Sequence, residues 1–340
     1  MASVTSSATA HIHSIARRNL VFIHGKGGVG KSAISEAIAW GLANESAHQE
    51  SSQKAKRSAR ILLVEFEDPT REPGELKSLG PGIWHLNADA AIAFEEYSEL
   101  KIEKLSHGIL GVWGGWGGLG SIGHKGMTKL FTQNKLIKYL AKAAPGIHEL
   151  VLLGKVWHER KNYDHVIVDL PSTGYGLAMF QSTANFAKLF GGGPISADAE
   201  AMLATFSDPA QTGHLIIALP EEMPLREAID LNGFLKDLFP SNLAAFLVNR
   251  RFPDGKIQAS SDTEANSDTP NEWASPYAFS VTDYIDRRRK LETHNLKLWS
   301  RSGIEYGEVD YMPPDSLKAQ AGQIGLTRRL SQQMNQRGYL

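Results

Sequence analysis

The nine residues His24 to Ser32 read HGKGGVGKS, and no other stretch so narrows what this chain can fold into. Gly25 to Ser32 satisfy the pattern G-x-x-x-x-G-K-[ST] in full. Glycines let consecutive backbone N–H groups turn toward one point, where they hold the oxygens of a phosphate. The pattern has this meaning only if a strand delivers the chain and a helix carries it away, adding its positive end. Both are expected here. Asn19 to His24 (NLVFIH) is a short apolar run that reads as a buried strand, and Ala33 to Ala43 (AISEAIAWGLA) has apolar residues at helical spacing. Gly25, Gly27, Gly28, Val29, Gly30, Lys31, Ser32 and Ala33 are therefore the expected phosphate cradle. Lys31 would reach the β- and γ-phosphates, and the Ser32 hydroxyl would ligate Mg²⁺.

The rest of the chain supplies a setting for such a loop. Arg60 to Phe66, His165 to Asp169, His214 to Leu219 and Leu243 to Asn249 are further apolar runs of strand length. Helical patterns lie between them, at Leu136 to Ala144, Ile147 to Glu159 and Arg226 to Leu238. Apolar strands alternating with helices indicate an α/β fold, a doubly wound and mostly parallel sheet covered on both faces. Sites in such sheets gather at the carboxyl ends of the strands. Residues 1–18, rich in Ser, Ala and Thr, read as a flexible leader, and 44–58 as a polar loop. Residues 19–340 are expected to form a single domain with two insertions. One is a helical and Gly/Trp-rich segment around 100–145; the other is a polar stretch at 256–275. Asp286 to Lys290 (DRRRK) reads as a solvated helix face.

Composition excludes several chemistries. The 340 residues contain no cysteine, so there is no disulfide, thiolate metal site or catalytic thiol, which is compatible with the expected cytoplasmic location. A formal net charge of −1 gives no general attraction to nucleic acid or to an anionic membrane. No run of about 18 apolar residues is present, so no membrane span is expected.

Two acidic positions complete the expected chemistry. Asp169 ends an apolar strand, where it would hold Mg²⁺ together with Ser32. The segment Leu170 to Leu177 (LPSTGYGL) follows, and Gly174 and Gly176 give it room to act as a switch. After the second strand, Glu65, Glu67 and Asp68 form an acidic group at a sheet end. Glu67 or Asp68 would position the attacking water, and the Asp-Pro pairing favours Asp68.

The form GKGGVGKS carries an additional lysine, Lys26. It resembles the deviant loop of the signal-recognition and Min-type class of dimeric nucleotidases, the SIMIBI class of P-loop NTPases. In that class the additional lysine reaches the partner's phosphates across a dimer interface. A cation supplied there stabilises charge spread over the transferred phosphoryl group.

Four blocks extend the likeness. They are HGKGGVGKS at 24–32; EDP at 67–69; APGIHELVLLGKVW at 144–157 with YDHVIVDLPSTGYGL at 163–177; and LPEEMPLREA at 219–228 with LVNR at 247–250. In this order they resemble the family of the arsenite-efflux ATPase and the ATPase of guided entry of tail-anchored proteins (ArsA/GET type). The nearest likeness is to its bacterial members, the anion-transporting ATPases. The resemblance implies a Mg²⁺-dependent ATPase that works as a nucleotide-gated homodimer on an apolar protein client. It implies that Asp68 or Glu67 activates water, that Asp169 to Tyr175 form a switch, and that Asn249 contacts adenine. Met312 and Pro313 would fall in the adenine loop. Tyr175 replaces the histidine usual in that switch. The missing cysteines exclude thiolate binding of arsenite and a zinc-bridged dimer. Gly108 to Phe131 and Leu177 to Phe190 are the candidate client-binding segments. An alternative output is that of a Min- or partition-like spatial regulator.

Overall fold

A computed structural model of the chain describes residues 6–49, 59–100, 146–189, 194–252, 281–312 and 322–340. Along the chain these are α1 (Ser6–Ala16), β1 (Leu20–His24), α2 (Lys31–Gln49), β2 (Ile61–Phe66), β3 (Leu76–Gly80), β4 (Ile83–Ala88) and α3 (90–100). There follow α4 (Ile147–Glu159), β5 (His165–Asp169), α5 (Thr173–Leu189), α6 (Pro194–Ser207), β6 (Thr212–Ala218), α7 (Glu222–Leu238) and β7 (Ala245–Arg251). The last are α8 (Val281–Arg301), β8 (Gly307–Asp310) and α9 (Gly322–Gln336).

The strands form one eight-stranded sheet in the order β3-β4-β2-β5-β1-β6-β7-β8. Every pair is parallel except β3 with β4. The alternation along β1 shows how the sheet is buried on both sides. Leu20 and Phe22 point into a core built with α4, α5, α6 and α7. Val21 and Ile23 point into a second core built with α1, α2 and α9. A strand with both faces covered must be apolar at every position, which is what NLVFIH encodes. β1 and β5 are central, so their carboxyl ends open at the middle of one sheet edge.

Two expectations need correction. Residues 6–16 are not a flexible leader: α1 buries Ile12, Ile15 and Ala16 in the second core. Its apolar residues are few but share one face, because 12, 15 and 16 lie on the same side of a helix. The polar loop expected over 44–58 is helix as far as Gln49, where α2 ends, and residues 50–58 lie outside the described residues. Ala, Asn, Glu, Ser and His at 43–48 are residues that a helix already under way accepts. Asp286 to Lys290 lie on α8 with Asp286, Arg287 and Lys290 exposed, as a solvated face requires, while the half-buried Arg288 also bonds Glu221 and Glu292. The stretch Leu177 to Phe190 belongs to α5 up to Leu189, where Met179, Phe180 and Phe186 are buried in the first core and Ala184 is buried as well. The helix expected at Leu136 to Ala144, the insertions at 100–145 and 256–275 and the segment Gly108 to Phe131 lie outside the described residues. Among the described residues, no helix is long and apolar enough to cross a membrane.

Candidate functional site

The loop between β1 and α2 has the backbone its glycines permit. Gly25, Gly28 and Gly30 have φ of 145°, 84° and 93°. Two of these positions also admit no side chain. A Cβ on Gly25 would stand 2.4 Å from the Ile217 carbonyl oxygen, and one on Gly30 would stand 2.4 Å from Nδ2 of Asn249. Neighbouring strands thus press the loop into shape from β6 and β7. Lys31 opens α2, and its Nζ donates to the carbonyls of Gly25 (3.1 Å) and Lys26 (3.2 Å). Burial pushes its pKa down, and Asp169 opposes that shift. The ammonium is held inside the loop by two neutral carbonyls, which leaves its charge unpaired there.

Asp169 stands beside the loop because β5 pairs with β1, with Asp169 opposite Ile23. Its carboxyl is pushed up to about 6, first by burial and then by Glu65 and Glu36. The Ser32 hydroxyl, which donates to it, and the charge of Lys31 oppose this. Oδ1 of Asp169 is buried and has no hydrogen-bond partner. A desolvated carboxylate oxygen without a donor costs free energy that a cation would recover. A hydroxyl and a carboxylate are also the oxygen donors Mg²⁺ takes. Ser32 and Asp169 therefore fit the metal the loop motif implies. Among the described residues no cluster of three or more His, Asp or Glu forms a separate metal site.

The acidic segment after β2 is arranged differently. Glu67 has φ 51°, and its N–H donates to the Ala88 carbonyl. Asp68 closes a turn on itself, with Oδ1 accepting from the N–H (2.9 Å) and the hydroxyl (2.8 Å) of Thr70. Those bonds, aided by Arg71 at 3.2 Å, hold its pKa below the usual carboxylate value. Buried Asn87 pins the backbone of this turn, accepting from the Asp68 N–H and donating to the carbonyls of Asp68, Arg71 and Glu72. Glu65 bonds His85 at 2.7 Å and is the acid of this group that acts on Asp169. Sequence reasoning preferred Asp68 and Glu67. Glu65 belongs to the acidic group read from the sequence, yet nothing there singles it out, because a strand's penultimate residue looks like ordinary sheet. A cleft of about 730 Å³ opens over this segment, lined among others by Glu67, Asp68, Arg71 and Asp89, and no phosphate-loop residue lines it.

At the other side stands Asn249, near the end of β7. Its Nδ2 donates to the Val29 carbonyl at 2.9 Å, and its Oδ1 accepts the N–H of Arg250. It lies against the loop, where the resemblance expects an adenine contact, and it clamps the loop itself. Lys26 forms an ion pair of 2.6 Å with Glu227 of α7 in the same chain. Nothing in the sequence marks Glu227 as its partner, since 201 residues separate them. Tyr175 lies in the first turn of α5, where Glu67 and Glu149 act on its hydroxyl and burial raises its pKa. Pro313 lies outside the described residues; Met312, just before it, packs partly buried against the second core.

The sequence has relatives of the kind this geometry suits. ATPase BagA of Mycobacterium tuberculosis (strain H37Rv) is 26% identical over 278 residues, covering 74% of this chain and 72% of that protein. A Mycobacterium bovis protein, Mb3704, provisionally named an ATPase, matches over the same 278 residues with the same identity and coverage. No protein-family model matches the sequence.

Proposed function

We infer that this chain is an ATP hydrolase. The observation that carries the reading is the preformed loop. Lys31 is buried between two loop carbonyls, and beside it stands the Asp169 carboxyl, on which Ser32 acts and whose buried Oδ1 lacks a partner. Two relatives named as ATPases support it. Backbone N–H groups of the loop and the amino end of α2 would hold the β- and γ-phosphates, with Lys31 offsetting their charge. Ser32 and Asp169 would hold Mg²⁺, which when bound adds positive charge at the transferred phosphoryl group.

We further propose the ArsA/GET-type cycle, in which two copies close on nucleotide and act on a protein client or partner. Lys26 is the residue on which this depends. In the single chain it bonds Glu227; in a closed dimer it would release that carboxylate for the partner's phosphate. Asp68 would orient the water once its carboxylate leaves Thr70. Turnover measurements with Mg·ATP test the two levels separately. Lys31→Ala should lose at least about a hundredfold in kcat/KM, and full activity would overturn the ATPase reading. Lys26→Ala should bind ATP normally yet turn over slowly and fail to dimerise with it. Undiminished turnover by that variant would sink the dimer mechanism alone.

A further inference from the structure

The carboxyl end of β7 places two arginines in opposite directions. Arg251 turns into the sheet, where it is buried on Glu292 (2.7 Å) and near Glu308 (3.8 Å). Arg250 stays exposed. Just before Arg251, between Val248 and Arg251, the pairing of β7 with β8 shifts register. Arg250 itself has φ 58°, the left-handed region that side chains other than Asn, Asp and Gly seldom occupy. The turn is anchored at Asn249, whose side chain accepts the N–H of Arg250 while donating to the Val29 carbonyl. The result is that the guanidinium lies over the phosphate loop. Its Nη2 stands 3.8 Å from the point a Cβ on Gly30 would occupy.

A strained backbone that aims one cation at a binding loop calls for a ligand-side reason. The loop interior is already served by Lys31 and by backbone N–H groups. Arg250 instead lies on the outer rim, on the β7 side, where Gly30 leads into α2. There a bound nucleotide would leave the loop and present its nucleoside half. A guanidinium is flat, delocalised and weakly hydrated, and it stacks on aromatic rings in a way an ammonium does not.

We propose that Arg250 is a nucleoside-binding residue whose guanidinium stacks on the purine base of the bound nucleotide. This rests on the ATPase reading and extends it from the phosphates to the base. It also separates the tasks at the end of β7: Asn249 shapes the loop, and Arg250 covers the base.

Titration calorimetry on the full chain with Mg²⁺ tests the proposal, using ATP, ADP and inorganic tripolyphosphate as probes. Arg250→Ala should weaken ATP and ADP about equally, by roughly tenfold, and leave tripolyphosphate unchanged. Arg250→Lys, which keeps the charge and loses the plane, should recover only part of the affinity. Arg250→Gly relieves the left-handed backbone, so its nucleotide-free Tm should not fall while its ATP affinity does. A merely structural arginine would show the reverse. Wild-type ATP affinity in Arg250→Ala overturns the proposal. So does an equal loss for tripolyphosphate, which would make Arg250 a phosphate ligand. Failure of the wild-type chain to bind either ATP or tripolyphosphate overturns instead the ATPase reading beneath it.

Discussion

The phosphate loop and the acidic turn after β2 both stand at the carboxyl edge of one sheet, and they are held in opposite ways. Distant parts of the chain hold the loop. Asn249 grips Val29 from β7, Ile217 crowds Gly25 from β6, and Glu227 bonds Lys26 from α7. Beneath it, His24 at the end of β1 bonds His214 of β6 at 3.0 Å. Neighbours in sequence hold the acidic turn: Asp68 spends its carboxylate on Thr70 and Arg71, and Asn87, on the next parallel strand, closes the backbone. A loop that binds through its backbone must be shaped by tertiary contacts, since glycines alone prefer nothing. A turn that binds through a side chain can be built locally.

The difference makes the loop vulnerable to perturbation far away, and the largest expected effect is on pH. His24 is buried against Phe22 and Phe180 and His214 against Phe22, Phe180 and Phe239, and burial drives their pKa values down, that of His214 to about 4. A folded-state pKa below the unfolded value near 6.5 means that the unfolded chain takes up the proton first as pH falls. Stability is therefore full above about pH 6.5 and drains away toward pH 4, by about 3 kcal/mol for His214 alone. Denaturant unfolding at pH 7.5 and at pH 5 measures this, and His214→Gln should flatten the dependence. An equal slope in that variant would remove the histidine pair from the loop's support. A smaller effect is expected at the clamp. Asn249→Ala leaves the Val29 carbonyl and the Arg250 N–H without their partner, at a cost of about 2 kcal/mol. ATP affinity should fall with it, because the loop loses its hold on Gly30. Normal binding by a destabilised Asn249→Ala would show that the loop keeps its shape unaided.

The same contrast explains what could be read from the sequence. β1, β2, β5, β6 and β7 announce themselves as apolar runs because both faces of each are covered, and the loop motif names its own backbone. β3 was hidden, since LKSLG is a short edge strand whose leucines are interrupted by Lys77 and Ser78 and which is largely open to solvent. So was β4, whose buried His85 and Asn87 interrupt the apolar pattern of IWHLNA. β8 has only four residues, GEVD, and α1 shows a thin apolar stripe among histidines and serines. Lys26 was legible and Glu227 was not, because an ion pair formed across 201 residues leaves no local trace. Asn249 was found through family likeness, yet its bond to Val29 depends on how closely β7 approaches the loop, which no pattern of residues states.

The smallest expected effect bears on the acidic turn and is the sharpest test of the comparison. Thr70→Ala removes the hydroxyl that donates to Asp68 and leaves the backbone N–H bond in place. The turn is exposed, so water replaces the lost donor and the stability cost should be about 1 kcal/mol or less. No atom of Thr70 supports the phosphate loop, so ATP affinity should stay at its wild-type value while kcat changes as Asp68 is freed. If turn and loop were instead one coupled unit, freeing Asp68 would weaken ATP binding as Asn249→Ala does. Denaturant unfolding and ATP titration of the two variants side by side separate these outcomes. Independence would mean that the Gly25–Ser32 loop and the Asp68 turn respond to mutation as separate devices, although one sheet edge carries both.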